Sequence, residues 1–324
     1  MAAQLQRAPE LRPGRICPVS YRYPPRVFNR APEIVAETLY VVGGLYGNVE
    51  ALDAVIAMAQ REAAPATIVF NGDFHWFDIA ADDFRAIADG VASHARLRGN
   101  VETELASDES AAGCGCAYPL DVSDAEVSRS NEILERLRTT AGACDVERVA
   151  LGGLPMHLVA RIGDARIGIV HGDAASLAGW GFAHDRLDDP AHGRWIEAAF
   201  RDAQVDVFAS THTCLPTFRH FVHGHGEGVV ANNGAAGMPN FAGTEYGLVT
   251  RIARTPSRQR LFGIEHAGVQ VEAVPLRFDR ERWMQRFLAA WPQGTPAHAS
   301  YFRRIASGPR FAPAQAAPRR IVVH

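Results

Sequence analysis

The stretch "LYVVGGLYGNVEALDAV" (residues 39–55) decides the fold class. An apolar run stops at two glycines, turns at Gly47–Asn48, and resumes with Leu52, Val55, Ile56 and Ala59 at helical spacing. That pattern predicts a strand, a tight loop and a helix, with Asn48 as the helix N-cap. Loops at the carboxyl ends of strands are where α/β proteins place ligands and metals. This loop offers Gly43, Gly44 and Tyr46, none of them a good metal ligand.

Outward from there, apolar runs of strand length recur at "TIVF" (67–70), "ARLR" (95–98), "ARIGIVH" (165–171) and "VDVFAS" (205–210). Helical spacing falls between them at 48–62, 82–92, 127–140 and 192–203. "TFRHFVH", "GVVANN", "YGLVTRIA", "RLFGIEH" and "VQVEAVP" read as consecutive antiparallel strands, before an amphipathic helix "DRERWMQRFLAAW" and a proline-rich tail. Strands and helices mixed throughout predict a layered α/β sandwich. The expected organisation is an extended N-terminal arm over 1–36, a main domain over 37–278, and a C-terminal helix and tail over 279–324. An irregular, cysteine-bearing insertion at about 103–150 is expected to cap one end of the sheets. In the arm, "YRYPPRVFNR" reads as a strap of arginine and aromatic residues on the surface or as a substrate-facing clamp.

The chain has 324 residues and a formal net charge of -3, which gives no electrostatic case for nucleic acid or an anionic membrane. All 33 basic residues are arginine. No apolar run approaches a membrane span and no secretory core is present, so a cytoplasmic location is expected. The five cysteines (Cys17, Cys114, Cys116, Cys144, Cys214) are then read as thiols or metal ligands rather than disulfides. A small-molecule substrate is the expected partner, and the sequence says nothing of oligomeric state.

Several strands end in potential ligands: "TIVFNGD" on Asp73, "ARLRGN" on Asn100, "IGIVHGD" on His171 and "VDVFASTHT" on His212. One carboxylate, one amide oxygen and two imidazoles suit a borderline divalent ion such as Mn²⁺, Fe²⁺ or Zn²⁺.

In order and context these segments resemble the calcineurin-like metallophosphoesterase family, especially its small bacterial branch. The family's five motifs correspond to "GLYGN" (44–48), "GD" (72–73), "GNVE" (99–102), "HGD" (171–173) and "THTC" (211–214). "STHTCLP" keeps a trailing Leu-Pro, and "VVANNGAAGMPN" is similar to the family's Asn-Pro-Gly-Ser loop. The resemblance implies a four-layer α/β/β/α sandwich with a small cap insertion, and a metal-dependent hydrolase or phosphatase. It also implies which ligands survive. One of the family's two metals takes positions that are here Gly44, Tyr46, Asp73 and Cys214; the other takes Asp73, Asn100, His171 and His212. The departures empty one site and spare its neighbour. Val101 stands where the family's third-motif histidine would assist the leaving group.

One retained ion is therefore expected, and the second is open. Cys214, His75 in "GDFHWFD", and Cys114 with Cys116 in "GCGCAYP" are candidates to replace the lost ligands, and packing is the alternative for each. His75, Asp173 and His184 are candidate acids or bases; Tyr46, Asn48 and Arg98 are candidate substrate contacts. His223 and His225 in "FVHGHGEG" read as hairpin-loop histidines. Two other functions stay open: a non-catalytic binding or scaffold protein on this fold, and an iron or zinc enzyme with non-phosphoesterase chemistry.

Overall fold

In the computed structural model, which describes residues 12–108 and 111–323, thirteen strands form two facing sheets. The strands are β1 (Ile34–Val35), β2 (Thr38–Val42), β3 (Ala66–Asn71), β4 (Ala95–Leu97), β5 (His157–Ile162), β6 (Ala165–Val170) and β7 (Val207–Ser210). They continue with β8 (Thr217–His223), β9 (Gly226–Asn232), β10 (Gly247–Ala253), β11 (Phe262–His266), β12 (Val269–Leu276) and β13 (Arg319–Val322). The helices are α1 (Val49–Gln60), α2 (Ala81–Ala92), α3 (Asn100–Ala106), α4 (Asp124–Ala143), α5 (Asp145–Gly152), α6 (His184–Leu187), α7 (Gly193–Ala203), α8 (Arg280–Ala290), α9 (Pro296–Ser307) and α10 (Pro313–Ala316). One sheet runs β1-β5-β6-β7-β9-β8-β13 and the other β11-β12-β10-β2-β3-β4.

Strand periodicity explains the four layers. Along β2, Leu39 and Val41 point between the sheets, where they meet Val69, Ile167, Ile169, Val207 and Ile252. Their neighbours Tyr40 and Val42 point outward onto Leu52 and Val55 of α1. Both faces of β2 are thus covered, and all five of its residues are buried. The Asn48 side chain caps α1 by accepting from Ala51 N–H at 2.9 Å. On the far side, α7 lays Ile196, Ala199 and Phe200 over Phe208, Phe221 and Val230 of the larger sheet. The result is an α/β/β/α sandwich.

Three places differ from the sequence reading. The antiparallel strands are not one consecutive run: β8 and β9 pair in the larger sheet, whereas β10, β11 and β12 pair in the smaller one. Hydropathy alone cannot separate the sheets, because strands of both bury an inner face. The proline-rich tail holds α9, with Pro296 in its first turn, and the edge strand β13, which pairs parallel with β8. The N-terminal segment, from Arg12 onward, buries Tyr21 and Phe28 and supplies β1, which pairs parallel with β5. No helix among the described residues is long and apolar enough to cross a membrane.

His157 anchors that N-terminal segment. Its ring lies edge-on to Tyr23 and Phe28, with centroids 4.9 and 5.2 Å away, and Nδ1 sits 3.2 Å from the Arg30 guanidinium. Burial and then Arg30 push the imidazole down to about 4. A depressed folded value means stability is fully present above the unfolded value near ~6.5 and is lost as pH falls through 4. Stability is expected to drop by about 1–2 kcal/mol across that window, after allowing for solvent screening of a partly exposed ring. His157→Phe should flatten this dependence. Urea midpoints at pH 7 and 4.5 check it, and an unchanged slope in the variant would reject it.

Candidate metal centre

The sheets bring the carboxyl ends of their parallel strands to one edge. β2, β3 and β4 are adjacent and parallel in one sheet; β6 and β7 are so in the other. Beyond these ends stand Asp73 after β3, Asn100 opening α3, His171 after β6 and His212 after β7. The four converge. His171 Nε2 lies 3.3 Å from Asp73 Oδ2, 3.2 Å from Asn100 Oδ1 and 3.2 Å from His212 Nδ1. Donor atoms around a tetrahedral ion with bonds of ~2.1 Å stand about 3.4 Å apart, so this spacing fits a divalent metal.

The remote atom of each donor is tied down. His171 Nδ1–H donates to the Asn71 carbonyl at 2.9 Å, which leaves the Nε2 lone pair for the centre. His212 Nε2–H donates to the Cys116 carbonyl at 3.1 Å, leaving Nδ1. Asn100 Nδ2 donates to the Cys114 carbonyl at 2.9 Å, which turns Oδ1 inward. Burial and then His171 hold His212 down at about 3, so it is neutral and competent as a ligand. Burial also opposes charging His171, but the Asp73 carboxylate outweighs it and pushes His171 up. A divalent ion would displace that proton.

Glu102 shapes the Asp73 loop. Its buried carboxylate accepts N–H bonds from Asp73 (2.8 Å), Gly99 (2.8 Å), Phe74 (3.1 Å) and His75 (3.4 Å). Gly99 permits the approach, since a Cβ there would stand 2.3 Å from Asp73 Oδ1. Tyr46, Asp73, His212 and Cys214 all have positive φ, four of the seven non-glycine residues so placed among those described. Such backbone costs roughly 1–3 kcal/mol per residue and persists only where its surroundings enforce it.

Tyr46 fills the other half of the site. A Cβ on Gly44 would lie 2.7 Å from the Tyr46 ring, so the phenol occupies the space of the side chain that Gly44 lacks. The Tyr46 hydroxyl lies 3.0 Å from Cys214 Sγ, and the thiol in turn lies 3.3 Å from the His212 carbonyl. Burial pushes both groups up, so phenol and thiol are neutral near pH 7. Arg304 of α9 reaches the same place and donates to the Cys214 and Pro239 carbonyls. The cavity above, about 220 Å³, is walled by Trp76, Tyr118, Trp180 and Tyr301 and floored by Asp73, Asn100 and His212.

Other residues singled out from the sequence sit elsewhere. His75 is fully buried beneath the loop, stacked on Phe84 at 3.9 Å with Nδ1 2.5 Å from Asp78, and does not line the cavity. Asp173 accepts N–H bonds from Ala175, Ser176 and Gly181 and so holds its own loop together. His184 opens α6 against Phe311, 5.0 Å away. Arg98 bonds the Gly152 carbonyl, and Asn48 ties its helix to the Gly237 carbonyl at 3.0 Å. Cys114 and Cys116 meet Asn100 and His212 mainly through backbone carbonyls; Cys116 also lines the cavity, with Sγ 3.5 Å from Asn100 Nδ2, and burial pushes its thiol up. At this edge the three-member donor cluster is Asp73, His171 and His212, with no cysteine in it. His225 lies in the β8–β9 hairpin turn, and His223 closes β8 beside Phe200. Sequence reasoning missed Arg304, Tyr301 and Trp180, and gave Glu102 no role. Glu102 carried a signal, a carboxylate at the third position of a helix after Gly-Asn.

No family model and no curated protein sequence matches the chain. Solved structures do. A hypothetical protein from Pyrococcus horikoshii superposes with a TM-score of 0.57 at 16% identity, over 86% of this chain and 100% of that one. A metallophosphoesterase from Sphaerobacter thermophilus superposes at 0.51 and 15% identity, over 84% and 100%. The two facing sheets, the flanking helices and these superpositions agree: the chain has the fold of the calcineurin-like metallophosphoesterases.

Proposed function

We propose that the protein is a hydrolase of small phosphate esters that works with one divalent transition ion, iron, manganese or zinc, held by Asp73, Asn100, His171 and His212. The observation that carries this reading is the asymmetry of the site. Every donor on one side has its remote atom anchored, while the other side is closed by Tyr46. An ion there would supply a Lewis acid for a phosphoryl oxygen and acidify a water. The rest falls to the chain. The Arg304 guanidinium lines the cavity as a permanent cation beside the space of the missing ion, held there by Nε and Nη2 bonds to the Pro239 and Cys214 carbonyls, and its charge suits a phosphate. The Tyr46 hydroxyl, kept protonated by burial, is a neutral hydrogen-bond donor. The aromatic walls exclude water and receive the apolar part of an ester. Cys214 packs and positions Tyr46 rather than ligating.

Metal content and turnover over a panel of phosphomonoesters and diesters test this reading in the wild type, His171→Ala and Arg304→Met. The wild type is expected to hold one ion per chain at this centre and to turn over generic aryl phosphates poorly, lacking a two-ion clamp. His171→Ala should lose the ion and the activity. Arg304→Met should keep the ion and lose about a hundredfold in kcat/KM. Equal metal in wild type and His171→Ala would reject the centre. Bound metal with no turnover of any ester would instead indicate a binding protein.

A further inference from the structure

At the opposite edge of the sandwich a second group of donors converges, and no part of the proposed reaction uses it. His220 of β8, Glu227 of β9 and His266 of β11 place their donor atoms within 4.8 Å of one another. His220 Nε2 lies 2.9 Å from Glu227 Oε2, and the His220 and His266 ring centroids are 5.3 Å apart. Strand register explains the first pair. His220 stands opposite Val229 and Glu227 opposite Val222, so the two project diagonally from one face of the hairpin. His266 comes from the other sheet, on the edge strand β11, which among the described residues pairs with β12 alone.

We propose that His220, Glu227 and His266 form a zinc-type metal site that fastens the β8–β9 hairpin of one sheet to the edge strand β11 of the other. Three features support it. The donor set is two imidazoles and a carboxylate, the chemistry of three-ligand zinc sites, with a fourth position left for water. His266 Nε2 is buried and has no hydrogen-bond partner among the described residues, and His220 Nε2 has only the Glu227 carboxylate beside it. A buried ring nitrogen with no partner carries a desolvation cost that a cation would remove. Glu227 is already aimed: Arg320 of β13 takes Oε1 at 3.0 Å, which leaves Oε2 for the imidazoles. The Arg320 guanidinium counts against a cation here, and the Glu227 and Asp206 carboxylates near His266 count for it.

Zinc titration of the full chain tests the site, read both as equivalents bound and as the shift in thermal midpoint. The background is His171→Ala, in which the first centre is removed. In that background one further zinc is expected, with a rise in midpoint. Adding His266→Ala should weaken this binding by about tenfold or more and abolish the rise. Adding Glu227→Gln, which keeps size and fold, should do the same. Binding and midpoint shift that survive both substitutions would overturn the proposal, as would no zinc bound in the His171→Ala background. Retention of the first ion by His266→Ala alone separates this result from a failure of the proposed catalytic centre.

Discussion

Gly44→Asp, the substitution that restores the family's first-motif carboxylate, is expected to destabilise this protein by about 2–3 kcal/mol. Any Cβ at Gly44 lies 2.7–2.9 Å from Cε2, Cζ and Oη of Tyr46. The ring cannot swing aside freely, because it is buried and its hydroxyl is held on Cys214. Backbone strain adds less. Gly44 has φ +66°, and aspartate is among the residues that tolerate the left-handed region. The clash therefore dominates, and removing its partner should remove it. Gly44→Asp with Tyr46→His is expected to regain most of the lost stability. Adding Cys214→His should raise the metal held at this edge from one ion to two, since all positions of the family's first site are then filled. Denaturant midpoints and elemental analysis of the single, double and triple variants check the series. A single variant as stable as wild type would show that the Tyr46 ring does not fill that space.

Glu102→Ala is expected to cost about 4 kcal/mol or more, because buried amides left without an acceptor cost roughly 1–3 kcal/mol each. The Glu102 carboxylate serves four of them, at Asp73, Phe74, His75 and Gly99. Burial and the neighbouring Asp73 charge push this carboxyl up, and the N–H donors work against that by favouring the anion. Asp73 is held at φ 50° by this network, so metal affinity should fall by about tenfold or more along with stability. Glu102→Gln keeps one acceptor oxygen and should lie between the two. A Glu102→Ala protein within 1 kcal/mol of wild type, in urea, would mean that water or backbone rearrangement satisfies the loop instead.

The sequence made legible which strands end in polar residues, because strand, glycine and ligand lie within a few positions of each other. It also made the sandwich legible through alternating burial along strands such as β2. What it hid was long-range or directional. Arg304 and Tyr301 sit on α9, far along the chain from the motifs they join, and nothing near them marks a site. Cys114 and Cys116 attract notice as thiols, yet the atoms that matter are their carbonyls, which every residue possesses. His75 follows Asp73 by two residues, but the turn after Asp73 sends its ring into the core rather than the cavity. β1 and β13 are short, partly exposed edge strands without the apolar runs that announce a central one.

Because α9 carries Arg304 and Tyr301 across to a pocket founded on β2, β3 and β7, the site has a built-in order of completion during synthesis. Asp73, Asn100, His171 and His212 have all emerged once His212 clears the ribosome, and the strands that position them can pair soon afterwards. The guanidinium and one aromatic wall arrive only with residues 301 and 304, well after those four donors. A nascent chain paused before that point would present those four donors beneath an open and cationless cleft, so the proposed hydrolase would stay silent until α9 docks.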